Sequence, residues 1–412
     1  MAKAKKEKRQ GAGAAKGLAR AAGSDVIKVG VIGVGGRGNG ALHDCLSATP
    51  HTQIWALGDL FKDKLDRRLE GFRKEFEGRK DRFDVPPDRC FTGFNAYKQV
   101  LASGVDSVIL ATPPGFRPIH FKAAIEAGKN VFMEKPVCVD PWGYNTVCAA
   151  ADLAGQKGLG VVAGTQRRHE RSRIETMKRI HDGAIGSIAS AQCYWMGRPV
   201  HHRGKQEPGM SDIEFQCRNW YNWCWLCGDH ITEQHIHNID VINWVIGAHP
   251  VKAVAIGGRQ AREEKGNIWD HFAVEYEYPE GVRVASYCSH FEQAAHRVSE
   301  YVAGTKGMSN ASGTITGEKA WKFQGENPRG QVQEHADLIA SILARKPLNE
   351  GRQVAESSMT AVLGRMAAYT GREVSWKWAT ESSKLQLGPE NKHAFGPYQP
   401  PPVAAPGQTK LI

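Results

Sequence analysis

The 412-residue chain has no apolar run long enough to cross a bilayer, so a transmembrane helix is excluded. It has no cysteine framework either. Nine cysteines (Cys45, Cys90, Cys138, Cys148, Cys193, Cys217, Cys224, Cys227 and Cys288) are scattered in an odd count without small-domain disulfide spacing. That excludes a disulfide-stapled scaffold and mildly favours a reducing compartment. Cys224 and Cys227 show C-x2-C spacing, but no second C-x2-C or H-x3-H pair completes four ligands, so no metal is expected. No internal repeat is present.

The basic excess is not spread over the chain. Residues 1–20 hold Lys3, Lys5, Lys6, Lys8, Arg9, Lys16 and Arg20 against Glu7 alone, which accounts for +6 of the formal charge of +11. A basic, Ala/Gly-rich segment without apolar periodicity reads as a disordered tail over residues 1–25, and neither nucleic acid nor membrane is expected as a partner. Ala19-Arg20-Ala21 has the small-x-small form of a leader cleavage site, but GAGAAKGLA lacks an apolar core. A cytoplasmic location is therefore favoured, and a periplasmic one requires a lost or altered leader.

What is present is a globular composition, 41% apolar and 24% charged, at a length that predicts two domains. From Val26 the sequence VIKVGVIGVGGRGNGALHDCL reads as strand, glycine turn and helix. Gly33, Gly35 and Gly38 fit G-x-G-x-x-G: a tight turn, a close approach of backbone to a pyrophosphate, and close helix–strand packing. The anion sits on free N–H groups at a helix start. A second strand, TQIWALGD, ends in Asp59, 21 residues after Gly38, where a carboxylate accepts from ribose hydroxyls and repels a 2′-phosphate. NAD is preferred over NADP on that ground, with Lys62 and Lys64 arguing the other way. Further β–α units (VDSVILATPP, KNVFMEKP, GLGVVAG) predict a doubly wound parallel sheet over residues 26–165, with its ligand site at the carboxyl strand ends. Thr112-Pro113-Pro114 and Glu134-Lys135-Pro136 lie there.

GVIGVGGRG, ATPPGFRPIH, AGKNVFMEKP and HNIDVINW together resemble the Gfo/Idh/MocA group, the glucose-fructose oxidoreductase and inositol dehydrogenase family, from Val26 to about Trp376. AGKNVFMEKP is the most specific of these. The resemblance implies a cofactor cradle of Gly33, Gly35, Gly36, Arg37, Gly38, Asp59, Thr112, Pro113, His120, Glu134 and Lys135. It also implies a catalytic role for Lys135, with Pro136 shaping the loop.

Residues 224–240, CWLCGDHITEQHIHNID, carry the other chemical residues. A helix from about Thr232 through HIHNIDVINWVIG would place Glu233, His237, Asp240 and Trp244 on one face and turn His235 away. That face suits proton transfer, a carboxylate one turn from a histidine. The family usually shows D-x-x-x-H here, so the resemblance assigns Glu233 and His237 to those positions; Glu for Asp and His235 for glycine depart from it. Asp229 and His230 suit substrate hydroxyls, with helix capping the alternative for Asp229. In RNWYNWCWL, Tyr221 and Trp223 are candidates to stack on a sugar ring, with a core role as the alternative. Arg167 and Arg168, near the domain junction, suit either an anionic substrate or pairing with acids; Arg168 is carried as a substrate candidate.

Residues 166–383 are expected to form an α+β domain. Strands are expected at IASAQCYW, VKAVAIGGR, HFAVEYEY, VRVASYCSHF and SEYVAG, and helices at EHADLIASILA and SSMTAVLGRMAAYTG. The resemblance implies a large open, mainly antiparallel sheet and a homo-oligomer, dimer or tetramer. Residues 384–412 read as a Pro-rich tail or an arm crossing a neighbour. The expected function is NAD-dependent hydride transfer from a sugar, cyclitol or polyol hydroxyl. A redox-assisted glycosidase and a non-catalytic nucleotide-sensing scaffold are the alternatives.

Overall fold

A computed structural model describes residues 26–202 and 204–412; the expected basic tail, residues 1–25, lies outside them. Six strands form the first sheet: β1 (Ile27–Ile32), β2 (Thr52–Asp59), β3 (Cys90–Thr92), β4 (Ser107–Leu110), β5 (Asn130–Met133) and β6 (Val161–Ala163). All pair in parallel, in the order β3-β2-β1-β4-β5-β6. Their runs are almost continuously apolar because helices cover both faces. The chain reverses direction across the sheet between β1 and β4, and the crevice beyond their carboxyl ends is where such a sheet binds its ligand.

The second sheet has nine strands: β7 (Ile188–Gly197), β8 (Lys252–Gly258), β9 (His271–Glu277), β10 (Arg283–His290), β11 (Arg297–Gly304), β12 (Gly307–Ser309), β13 (Thr314–Gly317), β14 (Trp321–Lys322) and β15 (Val374–Ser375). Their order is β14-β13-β12-β11-β7-β10-β9-β8-β15, antiparallel except for the β7/β10 pair. One face packs on helices and alternates with the other along the strands. The outer face exposes Ile256 (75%) together with Val254, Tyr287, Tyr301 and Met308. No helix among the described residues is long and apolar enough to cross a membrane.

Two features depart from expectation. The helix Gly330–Leu343 falls within the expected second domain but returns to the first sheet, where Leu338 and Ile339 join the core of Ile27, Val29, Val31 and Ile54. Residues 384–412 fold back along their own chain rather than projecting from it. Leu387 N donates to Asp140 (2.7 Å), Tyr398 N to Asp212 (3.1 Å) and Gly407 N to Thr370 O (3.0 Å).

The helix Gly351–Thr370 joins the two sheets. It is buried almost all round, which its Ala, Gly, Ser and Thr content permits by letting neighbours approach closely. Gly371 terminates it in the left-handed conformation at φ 68°. Its Arg365, buried, donates to Gly228 O and Val139 O, both at 2.8 Å, and Ser358 Oγ accepts from Val137 N at 3.2 Å. The loop after β5 and the loop before residue 230 are thus fixed to one rod.

His169 supplies a pH-dependent tie between the segment after β6 and the helices Gly330–Leu343 and Gly351–Thr370. Burial opposes its protonation, but Asp337 at 2.6 Å and Glu350 at 3.3 Å outweigh burial and raise its pKa to about 9. The Glu350 oxygen lies off the line of a hydrogen bond and acts through its charge. A folded-state pKa above the ordinary value of 6.5 makes this contribution complete below pH 6.5 and loses it as pH rises through 9. Denaturant titration should show a loss on the order of 3 kcal/mol across that window, and His169→Gln should remove it. An identical pH slope in the variant would discard the tie.

Candidate active site

A cleft of about 1090 Å³ opens at the carboxyl ends of β1, β4 and β5. Gly33, Gly35, Gly36, Arg37, Asp59, Thr112, Pro113, His120, Glu134, Lys135 and Glu233 all line it. Gly33 adopts φ +92°, and a Cβ on Gly38 would sit 1.8 Å from Gly33 O, so turn and helix start interlock through glycine. A Cβ on Gly35 or Gly36 meets nothing within 4 Å. The space beside these two residues is open, as a diphosphate-sized group against the helix N-terminus requires. Asp59 accepts from Val34 N (2.9 Å) and Phe61 N (3.0 Å), so its carboxylate also fixes the glycine turn.

The wall opposite is set by Arg117, which composition and motif did not single out. Buried at the start of the helix Arg117–Glu126, it donates to Thr112 O (2.6 Å) and Glu134 O (3.0 Å), tying the loops after β4 and β5 together. Burial lowers its pKa to about 10, with Glu134 and Glu233 opposing. The only hint was an arginine placed directly after a strand-end proline loop. His120 contacts Thr112 Oγ1 through Nδ1 at 3.1 Å and stacks on Tyr97 at 4.3 Å. Burial, then Arg117 and His393, push its pKa down to about 3, so it is neutral. Phe61, Phe94 and Phe116 supply apolar lining that was likewise not foreseen, and Trp220, one of the aromatics of RNWYNWCWL, joins them.

Lys135 and Glu233 meet at the inner end of this cleft, from opposite halves of the molecule. Lys135 Nζ donates to Glu233 Oε1 at 3.0 Å and to Glu233 O at 2.5 Å. The second bond corrects the expected continuous helix. A helix His230–Glu233 stops, and another, Ile236–Ile246, begins. In an unbroken α-helix, Glu233 O would accept from His237 N; here His237 N bonds Gln234 O instead (3.3 Å). Lys135 takes the carbonyl that the break leaves open. Among its oxygens, Glu233 Oε2 remains without a partner.

His237 stands just past the break, its ring 5.8 Å from that of Trp195, its Nδ1 unpartnered and 9% of the residue exposed. Burial first, then the charge of Lys135, hold its pKa well below 6.5, so it is neutral and able to accept a hydrogen bond. His235 points the other way, as its spacing predicts, with Nε2 2.7 Å from Ser286 Oγ.

None of the five expected substrate contacts is among the residues that line the cleft. Arg168 forms a two-toothed pair with Asp240 (2.9–3.0 Å), the acid-pairing alternative. Trp223 is buried edge-on to Phe215, the core alternative, and Trp220 is the indole that lines the cleft. Asp229 is fully buried and spent on the fold. It caps His230 N (2.6 Å) and accepts from Trp269 N (2.7 Å) and Tyr369 OH (2.5 Å). Burial raises its pKa to about 6, and its backbone is held at φ 69°. Tyr221 and His230 are likewise outside the cleft lining, both buried, with the Tyr221 hydroxyl and both His230 ring nitrogens unpartnered. Cys224 and Cys227 are buried free thiols.

Comparison with known proteins agrees with this geometry. Residues 27–162 match the family model of the Gfo/Idh/MocA oxidoreductases, described as an NAD-binding Rossmann fold, and residues 174–310 match the family's C-terminal domain. Inositol 2-dehydrogenase of Acidiphilium cryptum is 24% identical over 260 residues, 63% of this chain and 66% of that protein. The NAD(+)-dependent scyllo-inositol 2-dehydrogenase of Bacillus subtilis is 23% identical over 288 residues, 68% and 72%. The match thus spans just under two thirds of the Acidiphilium protein's length. Among solved structures, scyllo-inositol dehydrogenase of Lactobacillus casei with NAD(H) and scyllo-inositol aligns at TM-score 0.64 and 20% identity, covering 85% of this chain and 99% of that one. Aldose-aldose oxidoreductase of Caulobacter crescentus aligns at 0.66 and 17%, with the same coverage. With both of its domain models matched in order and its nucleotide cradle built of glycine and Asp59, this chain belongs to the Gfo/Idh/MocA oxidoreductase family and carries that family's NAD-binding Rossmann domain.

Proposed function

We propose that the protein oxidises a hydroxyl-bearing carbon of a sugar, cyclitol or related polyol, using NAD. The observation that carries this reading is the meeting of Lys135 and Glu233 at the inner end of the nucleotide cleft, with a neutral His237 four residues further along the chain. Relatives named inositol dehydrogenases support the substrate class. The bound nicotinamide would supply the hydride acceptor. The chain supplies the proton chemistry and the geometry. Two of the three N–H groups of Lys135 are taken by Glu233, leaving one to hold the substrate oxygen. His237 accepts the hydroxyl proton on a ring nitrogen, and Glu233, itself fixed by Lys135, orients the hydroxyl for that transfer. NAD rather than NADP follows from Asp59, whose carboxylate lies where a 2′-phosphate would be placed. Assembly through the apolar outer face of the second sheet is part of the same reading.

Lys135→Ala should lower kcat roughly 10²- to 10⁴-fold on a carbohydrate substrate, with the Kd for NAD within a few-fold of wild type. Wild-type turnover in that variant would strip Lys135 of its role. Gly35→Val places a side chain in the open part of the cradle without touching protein. Calorimetry should therefore show NAD binding at least about tenfold weaker at an unchanged melting temperature; undiminished NAD affinity would move the diphosphate site elsewhere. Ile256→Glu should reduce the mass measured by light scattering without loss of fold, whereas an unaltered mass would exclude this sheet face as the contact.

A further inference from the structure

Polar groups that the oxidation reading leaves unused gather around Arg262. The Arg262 side chain is 2% exposed, and none of its three guanidinium nitrogens has a hydrogen-bond partner. The nearest carboxylate, Glu264, stands at 3.7 Å and is also engaged by His201. Around it the ring of His230 stacks on His290 at 4.4 Å, and Tyr221 stacks on His290 at 6.1 Å. The Tyr221 hydroxyl, both His230 nitrogens and His290 Nδ1 are all buried and unpartnered. Burial first, then the Arg262 charge, hold His290 to a pKa of about 3, and His230 is likewise held neutral by burial, His290 and Arg262. Burial first, then the charge of Glu233, push the Tyr221 hydroxyl well above its ordinary pKa, with Arg262 opposing.

A buried guanidinium without hydrogen bonds is costly, because the water it has lost is not replaced. The fold also takes trouble to keep it there. Asp270 Oδ2 accepts from the backbone N–H groups of Gln260, Ala261 and Arg262 at 2.7, 2.7 and 3.1 Å, clamping the loop from inside. Arg259, three residues earlier, spends its own guanidinium on the carbonyls of Arg262, Gly266 and Ile268 at 2.9–3.3 Å and on that of Glu264 at 2.5 Å. One arginine of the loop is therefore consumed in building it, and the other is presented, charged and unsatisfied, on a rigid support.

Resting on the oxidation reading above, we propose that the substrate carries an oxyanion, a carboxylate or phosphate on a polyol, and that Arg262 binds it while Lys135 and His237 act on a hydroxyl nearer the nicotinamide end. Tyr221 and the neutral His230 and His290 then serve as donors and acceptors to the intervening hydroxyls. The guanidinium fork suits either oxyanion by paired N–H bonds.

The test compares matched substrates with the NAD-loaded full-length protein: glucose against glucuronate, gluconate and glucose 6-phosphate, with myo-inositol as a second neutral polyol. At least one anionic member should exceed its neutral counterpart in kcat/KM by about 10- to 100-fold, chiefly through KM, and the identity of that member separates carboxylate from phosphate. Arg262→Gln should collapse that ratio toward one, with Arg262→Lys restoring part of it. A merely structural role would instead lower the melting temperature and affect neutral and anionic substrates alike. Neutral substrates used as well as or better than anionic ones would overturn the proposal and leave the oxidation reading standing. Failure to turn over any member would sink the oxidation reading. Calorimetry of glucuronate, gluconate and glucose 6-phosphate against glucose then decides the anion site by itself: binding of an anion lost in Arg262→Gln sustains it, and no binding of any anion ends it.

Discussion

The structure turns on one ammonium group. Lys135 arrives at the carboxyl end of β5 from the nucleotide half, and the segment around Glu233 arrives from the other half, where a regular helix would have closed its hydrogen-bond ladder and offered the lysine only a side chain. The interruption at residues 234–235 leaves the Glu233 carbonyl unpaired within the helix, and a buried orphan carbonyl is unfavourable unless something donates to it. Lys135 does so. The same bond satisfies the helix break, neutralises a buried carboxylate and brings a cation to the end of the nucleotide cleft. None of the three could be removed without exposing the cost of the others.

Around that contact, burial rather than charge pairing sets the protonation of the histidines. His120, His230, His235, His237, His290 and His335 all lie below the ordinary histidine range, with desolvation the first cause in every case. His169 is the exception, because two carboxylates reach it. A set of neutral imidazoles beside arginines and one lysine differs from a cationic pocket of equal histidine content. It can accept as well as donate, and the positive charge stays on the arginine and lysine side chains.

The nucleotide half was legible in sequence because its constraints are local. The glycine spacing, the buried β runs and the acid at the end of β2 each act within one β–α unit, and β2 spans the residues its alternation marks, Thr52–Asp59. The second sheet was legible in five of its strands, β7 to β11, but not in the short strands β12 to β15 nor in its order, since the pairing of β7 with β10 in parallel joins segments about 90 residues apart. The broken helix was not legible. Residues 232–246 carry an unbroken helical pattern, and the group that stabilises the break lies 98 residues earlier. The same limit explains Arg168, Asp229 and Trp223, whose partners Asp240, Trp269 and Phe215 could be matched to them only in three dimensions.

Arginine shows how burial separates structural from chemical roles where composition cannot. Arg365, Arg117, Arg168 and Arg259 are all largely withdrawn from water, and each finds carbonyl or carboxylate acceptors that account for its position. Each therefore reads as mortar: it holds loops or helices at fixed separation, and its charge is answered within the fold. Arg262 has the same burial and none of those hydrogen bonds. The carboxylate that answers its charge, Glu264, stands at 3.7 Å, so the hydrogen bonds its guanidinium has lost with water are left for an oxyanion of the substrate to supply. The clamp of Asp270 on three successive amides holds the loop in that position.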